Sequence, residues 1–161
     1  MHRMVLLLLL IPAVAFAHGK EDPYGDSPPK EEAETSRLAL APEEGSDVLR
    51  LLQPIRFTTA STDIAMISQL VLQDVAAVLN EHPEWTSIDI GGHTDAVGAA
   101  DKNLALSQGR AEAVRDALVS RGVAKERLTP TGYGETRPRV QATDEIGHAK
   151  NRRVEFKVSG G

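Results

Sequence analysis

The chain has 161 residues, no cysteine, 25% charged residues and a formal net charge of -5. That length suits one domain, and the missing cysteine excludes disulfides, thiolate metal sites, a cysteine nucleophile and a lipidated cysteine. The acidity is uneven: residues 18–47 hold nine acids against Lys20, Lys30 and Arg37, while residues 48–161 hold fourteen acids and fourteen Lys or Arg. Nucleic acid is therefore excluded as a partner, because phosphate binding needs a basic surface.

Met1 to Met4 is a short basic start, Val5 to Ile11 a continuous apolar run, and Ala15-Phe16-Ala17 a small-x-small cleavage site. These are the three parts of a secretory signal, too short to remain as a membrane span. Residues 1–17 are expected to be removed, leaving a mature chain that starts at His18, with no integral span, in the periplasm. Residues 18–47 carry Pro23, Pro28, Pro29 and Pro42 among many acids and few large apolar groups. Such a segment cannot offset its ordering entropy by burial, so it is read as a disordered tether.

Order is expected from Val48. Residues 48–57, with Leu49, Leu51, Leu52, Ile55 and Phe57, read as a strand interrupted at Pro54. Asp63 or Thr62 can cap a helix with an apolar face of Ile64, Ile67, Leu70, Val71, Val75, Val78 and Leu79, ending near Asn80. Thr86 to Ile90 alternates as a second strand. It runs into Gly91-Gly92 and a polar loop, His93 to Asp95, closed by Gly98. A second helix covers residues 101–121, with an apolar stripe of Leu104, Ala111, Val114 and Leu118. Asn103, Ser107 and Arg110 lie at the edge of that stripe. Gly109 within this helix costs about 1 kcal/mol relative to Ala and needs a reason. A short strand around Leu128 leads to Gly132-Tyr133-Gly134. Residues 135–150 read as a loop with one turn near Asp144, and residues 153–158 alternate as a final strand. Strands alternating with amphipathic helices predict an α+β, two-layer sandwich in the order β-α-β-α-β-loop-β, with helices on one sheet face and the other face wet.

The strand end, the loop carboxylate and the helix-edge arginine form one polar constellation. Its residues carry a resemblance: Gly92-His93-Thr94-Asp95, Gly98, Asn103, Leu106-Ser107, Arg110-Ala111, Gly132-Tyr133-Gly134, Pro138, Gly147 and Asn151-Arg152-Arg153-Val154-Glu155, in order. This set resembles the OmpA-like C-terminal domain, a family shared with the peptidoglycan-associated lipoproteins and flagellar stator proteins. The resemblance covers residues 48–158, with residues 159–161 as a tail. It implies a mixed sheet and non-covalent binding of peptidoglycan through diaminopimelate in the stem peptide. It also implies that Asp95 receives the ligand's ammonium and Arg110 its carboxylate, with Asn103, Arg152 and Thr94 in the same pocket. The chemistry is consistent: a zwitterion needs an anion and a cation at fixed separation, and arginine offers a planar fork. The chain departs from the family at Gly91, where an acid is common, at Ala142 in place of asparagine, and at His148 in place of arginine.

Each of these residues also has a purely structural alternative. Asp95 can cap the loop, Arg110 can be its ion-pair partner, Asn103 can be a turn residue, and His93 can stabilise the loop. Of Arg152 and Arg153, only one can face a pocket. Two other functions compete with wall binding. An enzyme could be drawn from His93, Asp95 and His148 as metal ligands, or from Asp89, Asp95 and Asp101 as acid and base. There is, however, no His-Glu-x-x-His pair and no serine on a nucleophile elbow. No catalytic residue, metal or cofactor is expected. An envelope adaptor, whose acidic tail docks an outer-membrane or other envelope protein, is compatible with wall binding. Thirty residues before the domain leave no room for an eight-stranded barrel, so a free-standing secreted protein at the wall or outer membrane is expected.

Overall fold

The computed structural model describes residues 39–40, 42 and 45–160. The expected signal and most of the acidic tail lie outside the described residues. Three strands form the main sheet: β3 (Ser87–His93), β4 (Leu128–Gly134) and β5 (Val154–Ser159), in the order β4-β3-β5. β3 is parallel to β4 and antiparallel to β5. The parallel pair requires a crossover, and α2 (Ala100–Val119) supplies it. The sheet is therefore mixed, with α1 (Gln69–Glu81) and α2 contributing to the same core as its inner face.

Period-two alternation sets that face. Ile88 and Ile90 of β3 and Val154, Phe156 and Val158 of β5 are buried against Val71, Leu72, Val75, Leu79, Val114 and Leu118 of the helices. The other face of β3 carries Asp89, Gly91 and His93. Across it the Tyr133 hydroxyl donates to Asp89 Oδ2 at 2.7 Å, and the Arg137 guanidinium sits 3.8 Å over the Tyr133 ring.

The expected strand over residues 48–57 is not one strand. Residues 47–49 run as an arm along β5, where Leu49 N donates to Phe156 O at 2.8 Å and Val158 N to Asp47 O at 2.7 Å. The chain then leaves the sheet as β2 (Arg50–Leu51), paired antiparallel with β1 (Ala39–Leu40). Pro54 cannot donate to a ladder, and beyond it only an isolated bridge joins Phe57 to Ile64. Thus two residues expected in the unstructured tail form β1, and Ile64 lies outside the first helix. That helix begins with a 3-10 turn, Met66–Ser68, and has no side-chain cap at Ser68. Ile67 and Leu70, expected on its inner face, are 69% and 64% exposed; Leu72 and Ala76 are buried instead.

In α2 the inner face is also shifted. Leu104 is 51% exposed, while Asn103 and Ser107 are buried in line with Ala111, Val114 and Leu118. The reason is close approach: a Cβ on Gly92 would lie 2.2 Å from Ser107 O, and one on Gly132 would lie 2.5 Å from Gln108 N. No large side chain fits between helix and sheet there. The stretch read as loop contains α3 (Glu145–Asn151), whose N-cap Asp144 accepts from Gly147 N. Its Gly147 packs on Ala142, with a would-be Cβ 2.9 Å from the Ala142 Cα.

Candidate functional site

At its carboxyl end β3 is pinned from both sides. His93 N donates to Arg153 O and Thr94 N to Gly134 O, each at 2.9 Å. The next residue, Asp95, is thereby held at the rim of the sheet with only 9% of its surface exposed. Its carboxylate does not cap α2, whose N-cap is Ala99. Instead Oδ1 accepts from Val97 N at 3.1 Å, a local turn, and Oδ2 accepts from Arg152 Nη1 at 2.7 Å.

Asn103, in the first turns of α2, ties the loop to the helix. Its Nδ2 lies 3.3 Å from Asp95 O, 3.2 Å from Val97 O and 2.7 Å from Glu135 Oε2. It is thus neither a turn nor a cap residue but a brace behind Asp95. Arg110, two turns further on, is held by other means. Its Nε donates to Ser61 O at 3.0 Å, and its guanidinium stands 4.9 Å from the centre of the Phe57 ring. The segment 57–64 therefore covers the middle of α2. Gly109 gains its reason here, since a Cβ would lie 2.8 Å from Thr62 Cγ2.

Three charges share this small volume. Burial pushes the Arg110 guanidinium below its ordinary range, the Arg152 cation lowers it further, and Asp95 opposes both. Arg152 is raised by its hydrogen bonds to Asp95 and Glu145. One carboxylate is thus paired with the Arg152 guanidinium and feels a second, Arg110, which is half-buried and anchored to a carbonyl.

Residues 56–152 match the OmpA family. The chain belongs to the OmpA family. Outer membrane porin F of Pseudomonas fluorescens is 36% identical over 113 residues, 70% of this chain and 34% of the porin. The peptidoglycan-associated lipoprotein of Mesorhizobium japonicum is 40% identical over 106 residues, 66% of this chain and 62% of the lipoprotein. The crystal structure of the peptidoglycan-associated lipoprotein from Burkholderia pseudomallei aligns with a TM-score of 0.61 at 35% identity, covering 68% of this chain and 92% of that one. The chain spans about a third of the porin and less than two thirds of the Mesorhizobium lipoprotein.

Within this OmpA-family domain, Asp95, Asn103, Arg110 and Arg152 come together, and Thr94 adjoins them. The Thr94 hydroxyl is buried with no hydrogen-bond partner among the described residues. His93 points elsewhere. It stacks on Tyr133 with ring centres 5.2 Å apart, its Nε2 lies 3.6 Å from Glu155 Oε2, and its Nδ1 is unpartnered among the described residues. Its ring is part of the outer sheet face and does not share a site with Asp95. Gly91 makes room for that arrangement, because a Cβ there would lie 3.0 Å from the Tyr133 ring. Arg153 turns away as well, with Nε donating to Glu155 Oε1 at 2.7 Å.

Four participants were missed from the sequence: Phe57, Ser61, Glu135 and Glu145. Glu135 follows Gly132-Tyr133-Gly134 directly and could have been read as the residue delivered by that exit. Glu145 lies seven residues before Arg152, at opposite ends of α3, and reaches its Nη2. Nothing in the pattern around Phe57 or Ser61 points to Arg110.

Proposed function

We propose that this chain binds peptidoglycan non-covalently through the diaminopimelate residue of the stem peptide. Asp95 receives the ammonium of one diaminopimelate centre and Arg110 its carboxylate. The observation that carries this reading is the buried Asp95 carboxylate in the field of the half-buried Arg110 guanidinium, which is bonded to Ser61 O and to no carboxylate among the described residues. Two relatives named for their association with peptidoglycan support it. In the free protein Arg152 occupies Asp95 Oδ2, so an arriving ammonium shares or displaces that contact, and Glu145 keeps hold of Arg152 by its other nitrogen. Thr94, next in sequence to Asp95 and with a buried hydroxyl unpartnered among the described residues, is assigned to the same pocket. The role is binding, without catalysis or cofactor, in the periplasm at the wall or outer membrane.

The test is sedimentation with purified sacculi. Truncating one of two ligand-facing charges at a desolvated site costs about 2–5 kcal/mol, against roughly 8 kcal/mol for a micromolar ligand. Asp95→Ala and Arg110→Ala should each lose sacculus binding while melting cooperatively, and their effects should not add. Lys125→Ala, on an exposed 3-10 turn, should bind as wild type does. Free diaminopimelate should raise the melting temperature of wild type and of neither site variant. Folded site variants that still sediment with sacculi would remove the assignment.

A further inference from the structure

Building on the peptidoglycan reading, we infer that the turn of residues 57–64 is a positioning element that restricts the ligand at Arg110 to a free carboxylate and rejects an amidated centre. The turn is tightly closed. Phe57 bridges to Ile64, Thr58 N donates to Asp63 O at 2.9 Å, Ser61 N to Thr58 O at 3.1 Å, and Asp63 N to Ser61 Oγ at 2.9 Å. Ala60, within it, has a φ of 52° and is the one non-glycine residue with a positive φ among the described residues. L side chains rarely adopt that conformation, and backbone strain of this kind collects where a site needs a fixed geometry. What the turn fixes is Arg110. Ser61 O, one residue past Ala60, accepts from Arg110 Nε, and the Phe57 ring at the base of the turn lies against the guanidinium.

A guanidinium presents two donor edges to a carboxylate. One joins Nε to an Nη nitrogen, the other joins the two Nη nitrogens, and each matches the carboxylate fork. The Ser61 carbonyl occupies the first edge. The second is open: among the described residues neither Nη nitrogen has a hydrogen-bond partner, and neither is a buried atom. A carboxylate therefore arrives end-on and accepts from Nη1 and Nη2 together. A carboxamide in the same place offers one acceptor, and its amino group meets a second donor. Ser61 O lies at the opposite, Nε end of the guanidinium and cannot receive that amino group. Burial adds to the demand for charge, because it disfavours the Arg110 cation and an incoming anion restores it. With the turn opened, the Nε edge and the Ser61 carbonyl both come free, and an amide can use them as a donor and acceptor pair.

Ala60 is exposed, so a substitution there leaves the core alone. Ala60→Val puts a β-branched side chain where φ is positive and should force the turn open. Ala60→Gly accepts the same φ and should keep it closed. Phe57→Leu, which removes the ring face and keeps an apolar side chain, reports independently of residue 60. Two quantities are read on each protein: the Arg110 Nε–H resonance by NMR, and the dissociation constants of free diaminopimelate and of its diamide, in which neither centre carries a carboxylate. In wild type and Ala60→Gly the Nε–H should exchange slowly with water and hold its position on ligand addition. The diamide should bind them at least about tenfold more weakly, the worth of a hydrogen bond to a charged group. In Ala60→Val and Phe57→Leu the Nε–H should exchange rapidly, and the ratio of the two constants should fall several-fold. A wild type that binds neither compound would remove the peptidoglycan reading and this proposal together. Binding of free diaminopimelate with an equal ratio in wild type and the variants, or an Nε–H resonance that moves on ligand addition, would overturn the proposal and leave that reading standing.

Discussion

His93 is buried as a neutral ring. Burial, together with the Arg153 and Arg137 cations, lowers its pKa to about 4, against the opposing pull of Glu155 and Asp89. The unfolded chain binds that proton near pH 6.5, so between about pH 6.5 and 4 the unfolded state holds more protons than the folded one. Stability from this residue is therefore complete above pH 6.5 and declines as the pH falls towards 4. The decline is on the order of 3 kcal/mol across that window. His93→Gln keeps a polar side chain that does not titrate. Urea midpoints at pH 7 and pH 4.5 should fall less in His93→Gln than in wild type, the difference isolating His93 from the carboxylates. At this scale residue type alone leaves Asp95 a loop cap and Arg110 an ion-pair partner, and only the resemblance carried by the surrounding motif singles them out as candidates. The resemblance puts Arg152, 57 positions away, in the same pocket but not in a direct pair with Asp95, because an ion pair between a loop and a distant helix end leaves no local pattern.

Elements were legible where periodicity decided them and obscure where backbone contact did. The alternation in β3 and β5 and the length of α2 followed from apolar spacing. The burial of Asn103 and Ser107 did not, because it follows from glycines on other elements. Gly92 and Gly132 admit the α2 backbone itself, and Ser107 Oγ then accepts from Gly134 N at 2.9 Å while donating to Leu104 O. Gly92→Ala should be among the most damaging single substitutions in the domain. A methyl group 2.2 Å from a backbone carbonyl cannot be relieved by a rotamer, and overpacking of this kind costs about 3 kcal/mol or more. Denaturant midpoints would show it, and a near-neutral result would mean that α2 slides freely on the sheet. Gly109 behaves differently, since its neighbour is only the Thr62 methyl. Gly109→Ala alone should disturb segment 57–64 and loosen the Ser61 hold on Arg110. Made in a Thr62→Ser background, the same change should stabilise by up to about 1 kcal/mol, the helix-propensity gain. Paired urea titrations of the four proteins would read this coupling.

For the whole molecule, the order of strands and helices was readable, and with it the mixed two-layer arrangement. The reading failed at the entrance to the domain, where residues 48–57 look like one apolar strand. There Leu49 and Ile55 are buried, but Pro54 and the departure of the chain into β2 divide them between separate structures. The apolar pattern recorded burial faithfully and said nothing of which partner each residue would meet.

The arm formed by residues 47–49 lies antiparallel on β5, at the outer edge of the sheet, and the chain upstream continues from it. A pull on that upstream chain, with the domain held at the Asp95 rim, meets the short β1–β2 pairing first and then arrives at this edge. Two backbone hydrogen bonds, Leu49 to Phe156 and Val158 to Asp47, resist it there, together with the burial of Leu49. Further in, β3 is bonded on both sides and bears the load only after the arm has come away. The entrance of the domain is thus a mechanical fuse: the arm yields while the three-stranded sheet that carries the rim keeps its shape.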